Sequence, residues 1–378
     1  MPGNPTAPPY RVAVVFLGHR GGPARTSLDL AQALHAYPDV LAHVVLTDRN
    51  VTLGEYGFLA DRRYVMKGFE TMRQLLVRSL GYPFQVIRVW RFLRRNEIDL
   101  VIFTMHNPWN PALMLLCRWR KRPFVYVVHD AELHSGENTF VRRALLHTEI
   151  AIARHFVCLT ESVSQQFRRK FAVAQENVCV IRHGASRASG EVEREKRASP
   201  ALRLLFFGRI ARYKGLELLC EALQLLREAS VPFQLRVVGD GPLPACLSGL
   251  RESQDVEVVN RFVSETEIEP LFRATDVLVA PYVDASQSGV IPLSFAFGVP
   301  AVCTPVGGLT EQVSHERNGL VAGRVDARAV ADCLIELQRD PGLLARLSRG
   351  ALHTASSELD WVNAIAPLVD YVRQGKAR

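Results

Sequence analysis

The chain has 378 residues, of which 48% are hydrophobic and 22% charged. At roughly 150 residues per domain it holds two or three domains, and this balance excludes global disorder, collagen-like repeats and a coiled coil. The net charge of +8 is uneven: residues 1–185 carry 24 Lys and Arg against 14 Asp and Glu, and the remainder 22 against 24. The first half is therefore expected to meet an anionic partner.

The N-terminus, MPGNPTAPPY, lacks the basic-then-apolar pattern of a leader. No apolar run nears the roughly 20 residues needed to span a bilayer. The seven cysteines include no C-x-x-C pair. They read as buried free thiols in a reducing compartment, so the expected location is cytoplasmic, peripheral at most on the inner face of the membrane.

Residues 11–17, RVAVVFL, predict a strand, followed by a Gly-rich turn (Gly18 to Pro23) and a helix with apolar Leu30, Ala31 and Leu34. LAHVVLT (41–47) is the next strand. Residues 70–95 read as one or two basic helices, broken at Gly81-Tyr82-Pro83. DLVIFTMH (99–106), PFVYVVHD (123–130), HFVCLT (155–160) and NVCVIRHG (177–184) are further buried strands with polar tips. The stretch 184–201 is rich in Gly, Ser and charge and predicts a linker. Its Glu191, Glu193 and Glu195 read as solvated charge rather than a metal site.

The pattern then restarts: strand RLLFF (203–207), turn GRIARYKG (208–215), helix LELLCEALQLL, strand FQLRVV, strand VEVV, helix ETEIEPLFRAT, strand DVLVAPY, a helix closing at SFAFG, and strands PAVCT and GLVAG. Both halves open with strand, Gly turn and helix, which predicts two doubly wound parallel sheets facing a cleft. The expected division is 1–185, a linker 186–201 and 202–378, with a last helix at about 360–374 packing back on the first domain.

Ligands in such folds sit at the carboxyl ends of the strands. There, GRIARYKG offers peptide N–H groups and two cations, Arg209 and Lys214, a combination suited to phosphate. In PYVDASQSGVIP, Ser286, Gln287, Ser288 and Gly289 let a backbone approach a ligand before a helix, although a serine there also serves as a simple cap. Gly21-Gly22 is a tight turn without the G-x-G-x-x-G spacing. His106, His129 and His183 end buried strands, and His129 with Asp130 is the best placed to meet a ligand in the cleft. No metal-ligand spacing and no D-x-D occur. Arg88, Arg91, Arg94 and Arg95, then Arg118, Arg120, Lys121 and Arg122, then Arg168, Arg169 and Lys170 form basic faces. Anionic lipid attracts such faces at about 1 kcal/mol per cation. Nucleic acid is not expected, since no stacking platform or known module is visible.

FFGRIARYKGLELL, VVGDGP, LFRATDVLVAPY, SQSGVIPLSFAFGVPAVCTPVGGLTE and, in the first half, VVHDAELHSGE together resemble the retaining glycosyltransferases of family four, in the subgroup with SQSG in the donor loop. The resemblance covers residues 11–350. It implies an α/β protein of GT-B fold, with two Rossmann-like domains. It also implies a UDP-sugar or GDP-sugar donor in the second domain, a saccharide or lipid-linked acceptor in the first, and no cofactor or metal. By position, Arg209 and Lys214 match the diphosphate-gripping pair. Ser288, Gly289 and Val290 match the loop that holds the distal phosphate, His129 the histidine that approaches the sugar, and Gly22 the glycine loop beside the diphosphate. One departure stands out: the family's two Glu, separated by seven residues, correspond to Ala285 and Leu293, with Asp284 beside the first. A sugar-nucleotide epimerase of this architecture and a silent transferase homologue are the alternative readings.

Overall fold

A computed structural model of the chain describes residues 8–131, 140–186, 200–247 and 254–376. In the first half the β-branched runs form β1 (Tyr10–Phe16), β2 (Val40–Thr47), β3 (Arg63–Met66), β4 (Leu100–Phe103), β5 (Phe124–Val128), β6 (His155–Cys158) and β7 (Val178–Val180). They make one parallel sheet in the order β3-β2-β1-β4-β5-β6-β7. Its helices are α1 (Gly22–Ala36), α2 (Met72–Arg95), α3 (Asn110–Trp119), α4 (Phe140–Ile152) and α5 (Glu161–Phe171).

In the second half β8 (Leu202–Phe207), β9 (Phe233–Val238), β10 (Val256–Val259), β11 (Val277–Ala280), β12 (Ala301–Cys303) and β13 (Gly319–Val321) form a parallel sheet ordered β10-β9-β8-β11-β12-β13. Around it lie α6 (Leu216–Glu228), α7 (Glu265–Arg273), α8 (Val290–Ala296), α9 (Leu309–Gln312), α10 (Ala327–Arg339) and α11 (Pro341–Ser356). Two doubly wound Rossmann-like lobes result. Strands buried on both faces read as continuous apolar runs, which is why the alternation of strand and helix was visible in the sequence.

The chain ends on the first lobe. α12 (Trp361–Ala364) and α13 (Ala366–Arg373) place Trp361, Ile365, Leu368 and Val372 in the same apolar cluster as Val12, Leu34 and Ile102. The outgoing and returning segments lie side by side, bridged at Ala185 and Asp360, and Ala185 N–H donates to Leu359 O at 2.7 Å. The expected linker lies, apart from its ends, outside the described residues.

Three details differ from the sequence reading. First, α2 runs unbroken through Pro83. The proline removes one backbone bond, but Tyr82 is buried and stacks on Trp109 at 4.7 Å, and its hydroxyl donates to Trp109 O; packing outweighs the lost bond. Second, β3 escaped notice because it is a four-residue edge strand. Third, Cys246 is exposed, unlike the other six cysteines, and its Sγ lies 2.6 Å from that of Cys220.

Near the crossing, Asp29 on α1 is only 4% exposed. It accepts from Ser186 Oγ at 2.6 Å and pairs with Arg25 Nε at 3.0 Å. Burial nonetheless dominates and pushes its carboxyl up from 3.8 to about 6. The folded state therefore holds this proton more tightly than the unfolded chain. The group's contribution to stability is full below about pH 4 and is lost as pH rises through about 6, on the order of 3 kcal/mol in all. Urea unfolding from pH 4 to 7 should show Asp29→Asn gaining stability relative to the parent as pH rises. A constant difference across that range would contradict the assignment.

Candidate functional site

In each sheet the strand order reverses between two neighbours: β1 and β4 in the first, β8 and β11 in the second. Loops leaving such a pair diverge and open a crevice at the strand ends. Gly22 follows β1, His106 follows β4, the basic turn follows β8, and the serine loop follows β11. The candidate residues therefore collect at the two switch points, with His129 beyond β5 and His183 beyond β7.

The basic turn closes on a single 3-10 turn, Arg212–Lys214, and on Gly215 at φ 67°. A Cβ at Gly215 would sit 1.9 Å from Pro281 O. Only glycine lets the turn after β8 lie against the segment after β11. This contact delivers Lys214 to the cleft. Its side chain is 8% exposed, and its ammonium lies 5.1 Å from the centre of the Tyr282 ring. Among the described residues that ammonium has no hydrogen-bond or ion-pair partner. Arg209 is more exposed, and its guanidinium donates to Tyr213 Oη at 3.1 Å. Tyr213 and Tyr282 meet edge to face at 6.3 Å. Two aromatic rings thus brace two cations.

The serine loop is held from below. Gln312 Nε2 donates to Ser288 O and its Oε1 accepts from Ser288 N–H, both at 2.9 Å. Ser288 Oγ lies 3.2 Å from Tyr282 Oη and accepts from Val290 N–H at 3.3 Å. The protein itself engages two of the three expected phosphate donors, those of Ser288 and Val290. No such contact holds the Gly289 N–H among the described residues. A Cβ at Gly208 would come within 3.0 Å of Lys214 Nζ and 3.5 Å of Val290 Cγ2, so Lys214 and the start of α8 share one space.

The first lobe reaches this space through histidines. A Cβ at Gly289 would lie 3.2 Å from His183 Nε2. His183 Nδ1 donates to Gly184 O at 3.0 Å, and its Nε2 lies 3.4 Å from Thr26 Oγ1 on α1. Burial pushes His183 down to about 4, with nearby His129 adding to the effect, so the imidazole is neutral at physiological pH. His129 Nε2 donates to Thr104 O at 2.7 Å, which leaves Nδ1 as its acceptor. Gly22 begins α1 behind Gly21, which carries φ 85°. Nothing lies within 4 Å of the direction a Gly22 side chain would take.

His106 is turned differently. Its Nδ1 meets Glu149 Oε2 at 2.5 Å. Glu149 is fully buried and also accepts from Tyr126 Oη at 3.0 Å, Asn107 N–H at 3.1 Å and Asn110 Nδ2 at 2.8 Å. Sequence reasoning missed this carboxylate, since a lone Glu in HTEIAIA carries no motif. It also missed Glu311, which caps α5 of the opposite lobe by accepting from Glu161 and Ser162 N–H, both at 2.7 Å. Tyr213 and Tyr282 stand inside motifs that were noticed, but nothing local announces their role. Ala285 is buried, and Leu293 packs on the second lobe's core, so no carboxylate stands at either place.

Residues 201–340 match the model of Glycosyl transferases group 1, and residues 20–188 that of Glycosyltransferase Family 4. A D-inositol 3-phosphate glycosyltransferase of Pseudarthrobacter chlorophenolicus is 28% identical over 61% of this chain. A second, from Streptomyces bingchenggensis, is 28% identical over 75%. The matches span 60% and 68% of those relatives' own lengths. The crystal structure of Anabaena Alr3699/HepE in complex with UDP and glucose superposes with a TM-score of 0.72 and 17% identity, over 97% of this chain and all of that one.

Glu149→Ala would strand four donors in the core, so we expect a loss of about 3 kcal/mol or more. Glu149→Gln, which keeps an acceptor, should lose less. Equal urea midpoints for Glu149→Ala and the parent would show that the network does not hold the first lobe.

Proposed function

We infer from the two family models, which match residues 20–188 and 201–340, that the chain is a family 4 glycosyltransferase of GT-B fold. From that premise we propose that its cleft binds a nucleoside diphosphate sugar and transfers the sugar, with retention, to a saccharide or lipid-linked acceptor. The observation that carries this reading is Lys214, a residue only 8% exposed whose ammonium has no counter-ion among the described residues. A buried cation is costly unless an anion pairs with it, and a diphosphate supplies one. UDP is the first nucleotide to test, because the Anabaena structure holds UDP.

The chemistry follows from charge. As the bond between the anomeric carbon and the diphosphate oxygen breaks, negative charge builds on the leaving phosphate. Lys214, Arg209 and the Gly289 N–H stand ready to stabilise it. The acceptor oxygen bonds to the anomeric carbon from the same face, and its proton passes to the departing phosphate. This route needs no protein nucleophile. His129 offers Nδ1 to a sugar hydroxyl. His183, being neutral, fills the space beside Gly289 without adding charge. Approach of the lobes excludes water, and with it hydrolysis of the donor.

The replacement of the family's Glu pair by Ala285 and Leu293 favours a second reading, a homologue that binds donor without turning it over. The two readings part in one experiment. UDP, GDP and their sugars are screened by thermal shift, since a selective ligand raises the melting temperature. Release of nucleotide is then followed with and without membrane lipid extract as acceptor. We expect one nucleotide class to stabilise the protein. Lys214→Ala and Arg209→Ala should each lower turnover by about 10²–10³ with the fold intact. Unchanged turnover in both would overturn the proposal, and stabilisation without turnover in the parent would select the silent reading.

A further inference from the structure

α2 is the longest helix among the described elements, 24 residues, or about 36 Å. Its inner side behaves as expected, burying Tyr82, Val89 and Leu93. Its outer side does not. Met72, Leu76, Val77, Leu80, Phe84 and Ile87 are all exposed, Leu80 at 82% and Phe84 at 70%. At 3.6 residues per turn these six fall within an arc of about 140° on the solvent side. A helix apolar on both sides is normally covered on both, and contiguous exposed apolar surface marks an interaction site.

The same stripe changes character along its length. Beyond Ile87 it continues as Arg88, Arg91, Arg94 and Arg95, and with Arg73 and Arg78 the helix carries six arginines and no acidic residue. Neighbouring helices extend the pattern. On α3, Trp119 is exposed, with Arg120 4.3 Å from the centre of its ring. At the start of α4, Phe140 and Val141 are exposed and run into Arg142 and Arg143.

We infer that this face of the first lobe lies on an anionic lipid bilayer, with the first four turns of α2 inserted at the level of the upper acyl chains and the arginines reaching the head groups. Exposed apolar side chains beside cations and an interfacial tryptophan are what such a surface recognises. Charge decides against a second copy of the chain, since pairing this face with itself would bring ten α2 arginines together (Arg78 is turned inward) without a carboxylate from either helix. The face also has a direction. In a parallel sheet the helices run opposite to the strands, so the apolar N-terminal end of α2 lies at the cleft end of the lobe. The membrane would therefore sit at the rim of the cleft, where a lipid-linked acceptor has to enter. The surface itself stands whether or not the cleft binds nucleotide.

The test uses the whole protein without any sugar. It is sedimented with vesicles of phosphatidylcholine, with or without about one-third phosphatidylglycerol, at low and high salt. Binding should need phosphatidylglycerol, weaken with salt, and fall at least about tenfold in Leu80→Asp/Phe84→Asp. Both residues are exposed, so the variant's melting temperature should match the parent's. Arg88→Gln/Arg91→Gln should weaken binding and flatten its salt dependence. Failure of the parent to sediment with phosphatidylglycerol vesicles would overturn the inference, as would equal binding by the aspartate variant. A parent that is dimeric by light scattering and becomes monomeric in that variant would also overturn it, by assigning the face to a second copy.

Discussion

Lys214 is the feature around which the second lobe is arranged. Most of the side chain is withdrawn from water, yet no carboxylate among the described residues neutralises its ammonium. A largely buried cation of this kind gains most from an anion that comes to pair with it. The fold keeps it in place through backbone geometry rather than charge. Gly215 lets two segments touch that any side chain would separate, and Tyr282 presents a ring face to the ammonium. Stability is spent here to keep an anion site empty of protein anions. That is the expected signature of a site built for a ligand rather than for folding.

The lobes meet through small polar contacts, and each lobe has its own apolar core. Glu311 caps α5 of the first lobe, Thr160 Oγ1 donates to Ser286 O at 3.4 Å, and His183 abuts Gly289. A few hydrogen bonds of about 1 kcal/mol each can be exchanged for water at little net cost. The chain crosses between lobes along two adjacent segments, near residues 185 and 360. Two neighbouring strands of chain form a natural hinge. The last helices, buried in the first lobe's core, anchor one side of it. Opening and closing of the cleft therefore costs interface polarity, not core packing.

How much of this was legible in the sequence depends on distance along the chain. Strand, Gly turn and helix recur within some 30 residues, so both sheets and the switch-point loops could be read locally. Arg209 and Lys214 could be singled out because cations flanked by glycines at a strand end suit phosphate, and the structure places both at the second switch point. The neutral state of His183 was not, because it follows from burial by Gly289, Thr26 and Trp361, which are distant in sequence. Glu149 was silent for the same reason: its four donors come from the loop after β4, from β5 and from α3. The continuity of α2 was misjudged because Gly81 and Pro83 argue for a break locally, while Trp109, 26 residues beyond Pro83, supplies the stacking that prevents one.

The replaced carboxylate pair fits the surrounding packing. Gly307 and Gly308 lie directly on the Ala285 and Ser286 carbonyls, where an added Cβ would come within 1.7 Å and 2.5 Å. The Ala285 loop is thus pressed flat by backbone above it. Leu293 joins an apolar cluster with Phe272, Phe295 and Phe297. A carboxylate there would need to turn away from these rings or lose hydration against them. Under the proposed function, polar recognition of a donor would then fall to Lys214, Arg209, the Gly289 peptide and His129. All four approach from the phosphate side or from the opposite lobe. On that proposal, recognition of the charged diphosphate would be strong, and recognition of the sugar would depend on whether the first lobe has closed. The donor would be held before it is read, and the arrival of the lobe that carries the acceptor would complete the site.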